Sequence, residues 1–155
     1  MYALFDNGYS ASLKWSVTTG GEVRTSPTLH TTGSVLYAAS QDSLLYALDT
    51  ATGATIWTHS LAPAGLSSSP AVTADGRTVY LGGENGQLYA VAVAADGLSA
   101  TRKWSLNIGT QLIAAPMIGT DGTVYLGCDD FKVRRCGRYT YACGAFKTGA
   151  WATVP

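Results

Sequence analysis

Along most of the chain apolar and polar positions alternate, as in TVYLGG at residues 78–83 and QLYAVAV at residues 87–93, and the apolar places are rich in β-branched and aromatic residues. A period of two sends successive side chains to opposite faces, which is the pattern of half-buried strands. Between these runs stand Asp75-Gly76, Asp121-Gly122 and Glu84-Asn85-Gly86, which read as tight turns needing positive φ. No stretch carries sustained helical periodicity with caps. The pattern predicts short antiparallel strands near residues 26–30, 34–40, 43–49 and 55–60, with corresponding runs about 43 residues later.

The runs repeat as a unit. Trp15, Trp57 and Trp104 recur at spacings of 42 and 47, Pro27, Pro70 and Pro116 at 43 and 46, and Tyr37, Tyr80 and Tyr125 at 43 and 45. Three landmarks in phase define a repeat of about 44 residues with four strands each. So thin a sheet cannot bury its own faces and must stack on neighbours, which is the logic of a propeller blade. The expected fold is all-β: a partial β-propeller of about three four-stranded antiparallel blades. Tyr2-Ala3-Leu4 is in phase with Tyr46-Ala47-Leu48, so the chain is expected to begin in the third strand of a blade. The units are then a half blade over 1–15, blades over 16–57 and 58–104, and a half blade over 105–130, followed by an atypical basic tail over 131–155.

At ALDTATGATIW, Ala47 to Trp57, the chain resembles the repeat signature of the PQQ-like (quinoprotein-type) β-propellers, roughly A-x-D-x-x-T-G-x-x-x-W. SSPAVTADGRTVYLGGENGQLYAV at residues 68–91 is similar to the first three blade strands of that family, and the likeness extends over about residues 1–130. Two departures stand out: Ala54 replaces the frequent lysine, and AVAADGLSATRKW at 92–104 inserts residues and lacks the Thr-Gly pair. The resemblance implies that Trp15, Trp57 and Trp104 lie flat between blades against Ala and Gly backbone. Ala47, Asp49, Thr52 and Gly53 complete the structural docking set. Asp49 is expected to accept backbone N–H bonds in the turn leading to Thr52-Gly53. Rings in this family usually have seven or eight blades. About three therefore imply a fragment, or a homodimer closing a six-blade ring by pairing the N-terminal half blade with residues 114–128 of a second copy.

Composition narrows the partners. The 155 residues are 46% apolar and 13% charged, with zero formal net charge and a pI near 6.7, so the chain is globular and offers no basic field for nucleic acid or an anionic membrane. No apolar run approaches the roughly 18 residues of a membrane span. MYALFDNGYS lacks the basic and apolar regions of a signal peptide, so the periplasmic or extracellular location expected for this chain rests on the resemblance alone.

Beyond Asp129 the character changes. Lys132, Arg134, Arg135, Arg138 and Lys147 make up half of the chain's basic residues, and Cys128, Cys136 and Cys143 are its only cysteines. Where the repeat expects a Tyr-Ala-Val run, the chain reads Arg134-Arg135-Cys136. A one-nucleotide shift of the codons for residues 133–137 can restore Tyr-Ala-Val-Ala, so a frame slip near Val133 is expected, although TGAW ending at Trp151 faintly echoes the repeat. Cysteine spacings of 8 and 7 are unlike zinc sites, and an odd count leaves a thiol for a bridge between chains.

Chemistry candidates are few. His30 and His59 have no cysteine or carboxylate at ligand spacing and read as surface or packing residues. Asp42, Asp49, Asp75, Glu84, Asp96 and Asp121 come singly at turns, and Asp129-Asp130 would point to opposite faces of a strand. No nucleophile elbow, HExxH or phosphate loop is present. The leading expectation is a non-catalytic repeat module, a protein-interaction scaffold or sensor domain that binds partners through its blade loops, with no catalytic, cofactor or metal residues. The alternatives are a fragment of a PQQ-dependent dehydrogenase, which would need PQQ and calcium, and a carbohydrate or small-ligand binder.

Overall fold

The computed structural model describes residues 1–61, 63–129, 132–136 and 143–147. They form fourteen strands and no helix. β1 (Tyr2–Asp6) and β2 (Ala11–Ser16) make a two-stranded antiparallel sheet. β3 (Thr28–Leu29), β4 (Val35–Ala39), β5 (Leu44–Asp49) and β6 (Thr55–Ser60) make a four-stranded sheet in sequence order. β7 (Ala71–Val72), β8 (Thr78–Gly82), β9 (Gln87–Val93) and β10 (Ala100–Asn107) repeat it. So do β11 (Met117–Ile118), β12 (Val124–Cys128), β13 (Lys132–Cys136) and β14 (Cys143–Lys147).

Alternation along the strands assigns the faces. Val35, Tyr37, Ala39, Leu45 and Ala47 of the first full blade pack on Val79, Leu81, Tyr89, Val91 and Val93 of the second. The opposite face of the second blade, with Tyr80, Leu88 and Ala90, packs on Val124, Leu126 and Cys136 of the third. Tyr46 and Leu48 close on Trp15, with Met1 and Ala3 at the margin, so the half blade stacks on the first full blade in the same sense. Each interface is apolar, and burying such side chains is worth roughly 1.5–3 kcal/mol apiece, which is what holds sheets too thin to fold alone.

The third blade differs from the expected layout. The boundary drawn at residue 130 is not where the sheet ends: β12 carries β13 on its edge and β13 carries β14, in unbroken antiparallel register from Lys132↔Lys147 to Cys136↔Cys143. The ladder is made by backbone groups, so a sequence that misses the Tyr-Ala-Val pattern still satisfies it. Cys136 is buried in the interface cluster and disulfide-bonded, opposite Cys143 in the register. The homodimer imagined above needed residues 114–128 to be an open edge, and within this chain that edge is already paired. Arg138, Trp151 and Asp130 lie outside the described residues.

Candidate functional site

Antiparallel order puts the β1–β2, β3–β4 and β5–β6 turns, with their counterparts, on one end of the stacked sheets. The β4–β5 turns and the segments between blades lie on the other end. Each end carries a distinct, repeated set of polar contacts.

The first end holds the indoles. Asp49 Oδ1 accepts hydrogen bonds from the N–H groups of Ala51 (3.0 Å) and Thr52 (2.7 Å) and from the Thr52 hydroxyl (2.7 Å). The Thr52 bonds chiefly hold its carboxyl below the usual carboxylate range. This winds the chain tightly enough that Gly53 takes φ +77°, where its N–H donates to the Asp49 carbonyl. Two things follow: the Thr50 carbonyl points outward toward the preceding sheet, and the Gly53 backbone lies bare. Trp15 of that sheet donates its Nε1–H to Thr50 O at 3.0 Å, and its ring covers Gly53 so closely that a Cβ there would stand 2.7 Å from Cδ2. Lys14 Nζ donates to the same carbonyl at 2.9 Å.

Trp57 keeps the turn hydrogen bond one blade on, but not the ring-on-glycine contact. Its Nε1–H donates to the carbonyl of Gly97 at 2.9 Å, and Gly97 has φ +79°. The absence of a Thr-Gly pair in AVAADGLSATRKW therefore does not remove the indole hydrogen bond, because Gly97, 44 residues past Gly53, takes a similar positive φ, but a Cβ there would meet Val35, His30 and Tyr37 and not the indole. Trp104 packs in the second interface against Tyr80. None of the three indoles is solvent-exposed, and Trp15 is 9% exposed. Ala47, fully buried, lies in register between Tyr37 and Trp57, as Ala90 lies between Tyr80 and Trp104. A small residue in the middle lets the flanking rings meet over it, at centroid separations of 5.6 and 5.7 Å.

Sequence reasoning missed how the indole is aimed. In all three outer strand pairs the register slips next to the tryptophan: opposite Ala3/Leu4, opposite Ala47/Leu48, and between Arg102 and Trp104. Lys14, Ile56 and Lys103, each one residue before its tryptophan, are the unmatched residues. A bulge re-aims the following side chain, here off its own sheet and toward the next turn. The pair β13–β14, which has Gly144 opposite Arg135 where the other blades place tryptophan opposite alanine, shows no slip. Tyr37 is buried, and its phenol is pushed up to about 12 by burial and by the charge of Asp96.

The other end is a polar weld. Gln41 Nε2 donates to Ser67 Oγ (2.6 Å) and to Glu84 Oε1 (3.0 Å), and the Ser67 hydroxyl donates to Glu84 as well. These Ser67 and Gln41 bonds hold the Glu84 carboxyl below its ordinary range. The Gln41 N–H donates to Glu22 O, and 43 residues on the Glu84 N–H donates to Gly65 O, so each inter-blade segment hooks the same turn position. Asp42 accepts from the Tyr46 hydroxyl at 2.6 Å and from the Gly20 N–H at 2.8 Å, and Asn85 with Tyr89 repeats the pair. His30 is buried, bonded to Thr32 (2.9 Å) and to Gly76 O (3.2 Å), and His59 is half-buried with its pKa lowered by burial first and by Arg102 second. Among the described residues no three His, Cys, Asp or Glu side chains gather as a metal set.

Four-stranded sheets welded at one end and pinned by indoles at the other define a β-propeller repeat protein. Residues 7–121 match the family described as outer membrane protein assembly factor BamB, and the chain belongs to that family. It is 37% identical over 71 residues to Protein Rv3035 of Mycobacterium tuberculosis, an alignment covering 46% of this chain and 16% of that protein. The crystal structure of BamB from Moraxella catarrhalis superposes with a TM-score of 0.65 at 16% identity, over 85% of this chain and 42% of that one. The Cps50 (Swd1) β-propeller domain of Myceliophteria thermophila gives a TM-score of 0.66 at 14% identity, over 80% of this chain and 41% of that one. The chain thus spans less than half the length of each. No helix among the described residues is long and apolar enough to cross a membrane.

Proposed function

We propose that the chain is a non-catalytic propeller module whose blade loops bind protein partners in assembly work at the bacterial outer membrane, from the periplasmic side. The family match over residues 7–121 carries this reading. The geometry supports it: Asp42, Asp49, Glu84 and Asp121 spend their oxygens on turn N–H groups and on neighbouring side chains of the framework. A frame fixed in this way leaves the turns free to present varied surface to a partner.

The test is photo-crosslinking in a bacterial envelope, from a crosslinking residue placed in turn at Ala51, Asp75 and Asp96 on one rim and at Asn85 on the other. Crosslinks to outer-membrane assembly proteins from one rim are expected. Titration with PQQ and calcium, read by tryptophan quenching, is expected to show no saturable binding. Micromolar quenching would instead favour a dehydrogenase fragment, and crosslinks replaced by protection with oligosaccharide would favour a sugar binder.

A further inference from the structure

Asn85-Gly86 stands at the tip of the β8–β9 turn, inside the second full blade. An asparagine followed by glycine is the pair in which a backbone nitrogen most readily reaches a side-chain amide, because no side chain obstructs the approach. The fold does not allow that glycine to be exchanged. Gly86 takes φ +74°, and a Cβ there would stand 3.0 Å from Thr110 O and 3.1 Å from Thr110 N. The matching turn of the first full blade, Asp42-Ser43, puts no amide at risk and carries a serine at the same φ of 74°. Asn85 is exposed, so water reaches it. Hydrogen bonds nevertheless hold the two reacting groups in place. Asn85 Nδ2 donates to the hydroxyl of buried Tyr89 at 2.8 Å, and Oδ1 accepts the Gln87 N–H at 3.2 Å. The Gly86 N–H donates to Gly83 O at 3.1 Å. The side chain lies in a packed slot, since a Cβ at Gly83 would stand 2.7 Å from Asn85 Oδ1 and 3.2 Å from Tyr89 Cε2.

We propose that Asn85 is a latent site of covalent self-modification, held in check by the Tyr89 hydroxyl. When that hydrogen bond opens, the Gly86 nitrogen gives its proton to solvent base and bonds to Cγ of Asn85. The Cγ–Nδ2 bond breaks, ammonia leaves, and a succinimide ring is closed. Water then adds at either ring carbonyl and yields aspartate, or isoaspartate with the main chain routed through the side-chain carbon. The net change is one water taken up and one ammonia released. Aspartate leaves the turn with the acidic pair that Asp42 and Tyr46 make one blade earlier. Isoaspartate lengthens the main chain by one carbon inside a turn that grips both neighbours. The Glu84 N–H donates to Gly65 O on one side, and the Ile108 and Leu112 N–H groups donate to Gly86 O and Gly83 O on the other. Conversion at this one residue therefore disturbs both blade junctions at once.

The experiment incubates the full folded chain at mildly alkaline pH and follows the peptide containing Asn85 by mass spectrometry, with isoaspartate counted by enzymatic carboxyl methylation. The folded chain is expected to convert at least about tenfold more slowly than the chain unfolded in urea, because the turn must open first. Tyr89→Phe keeps the buried ring but frees the amide, and is expected to convert about threefold to tenfold faster than the parent, the factor that one hydrogen bond is worth. Leu48→Ala empties a fully buried position at a different junction and is expected to convert at the parent rate. Equal rates for Tyr89→Phe and the parent overturn the proposal. So does equal acceleration by Leu48→Ala, which would make global unfolding the gate, or conversion of the folded parent at the unfolded rate.

Discussion

Replacing Gly53 with alanine tests whether the indole contact, and not merely the turn, holds neighbouring blades together. Gly53 and Gly33 have nearly the same left-handed backbone, φ +77° and +76°, so a Cβ strains both alike, by about 1–2 kcal/mol. Their surroundings differ completely. At Gly33 a Cβ meets nothing within 4 Å, whereas at Gly53 it stands 2.7 Å from Cδ2 and 2.9 Å from Cε3 and Cγ of Trp15. Ordinary carbon contacts lie at about 3.5–4.0 Å, so the ring must retreat by roughly 1 Å. That movement takes Nε1, now 3.0 Å from Thr50 O, out of hydrogen-bond range. Overpacking costs about 1–3 kcal/mol and the lost hydrogen bond about 0.5–1.5 kcal/mol. Gly53→Ala is therefore expected to destabilise by about 2–4 kcal/mol more than Gly33→Ala, measured by urea unfolding followed by far-ultraviolet circular dichroism. Equal losses for the two variants, within about 0.5 kcal/mol of measurement scatter, would refute the reasoning.

Other perturbations follow from the same geometry. Trp57→Phe keeps the stack on Tyr37 but removes the donor to Gly97 O, and a loss of about 1–3 kcal/mol of unfolding free energy, read from urea denaturation, is expected. Leu81→Ala empties a fully buried position between the first and second full blades and should cost about 2–5 kcal/mol by the same assay. Partial burial disfavours the charged form of Asp42, but hydrogen bonds from Tyr46, Leu44 and Gly20 outweigh it and lower its pKa. A lowered folded pKa gives stability that is present above the unfolded carboxylate value, about 4, and is lost as pH falls through the folded one. Unfolding midpoints should thus drop between pH 6 and pH 3. Asp42→Asn, whose single oxygen cannot accept from both Leu44 and Gly20, should flatten that slope and lose at pH 7 the stability that protonation removes from the parent.

The sequence was most legible where a physical requirement recurs. Period-two alternation and three landmarks in phase gave the strands of the first two full blades to within about two residues, because burial on both faces constrains every position. Turn glycines such as Gly53 were legible for the same reason: few residues accept both the backbone and the ring above it. The bulges at Lys14, Ile56 and Lys103 were not, since an unmatched residue leaves no compositional mark in a strand. Gly97 was hidden because Asp-Gly stands there in place of Thr-Gly and three more residues separate it from its tryptophan. Strands β13 and β14 were hidden because backbone pairing tolerates side chains that break the repeat.

Hydrogen exchange at the indole nitrogens tests the central claim most directly. If Trp15 and Trp57 are pinned to the Thr50 and Gly97 carbonyls of adjacent blades, their Nε1 protons should exchange at least about a hundredfold more slowly than those of a free indole, and that of Trp15 should lose its protection when Gly53 is replaced. Exchange of both protons at the free rate in the folded chain would contradict the account.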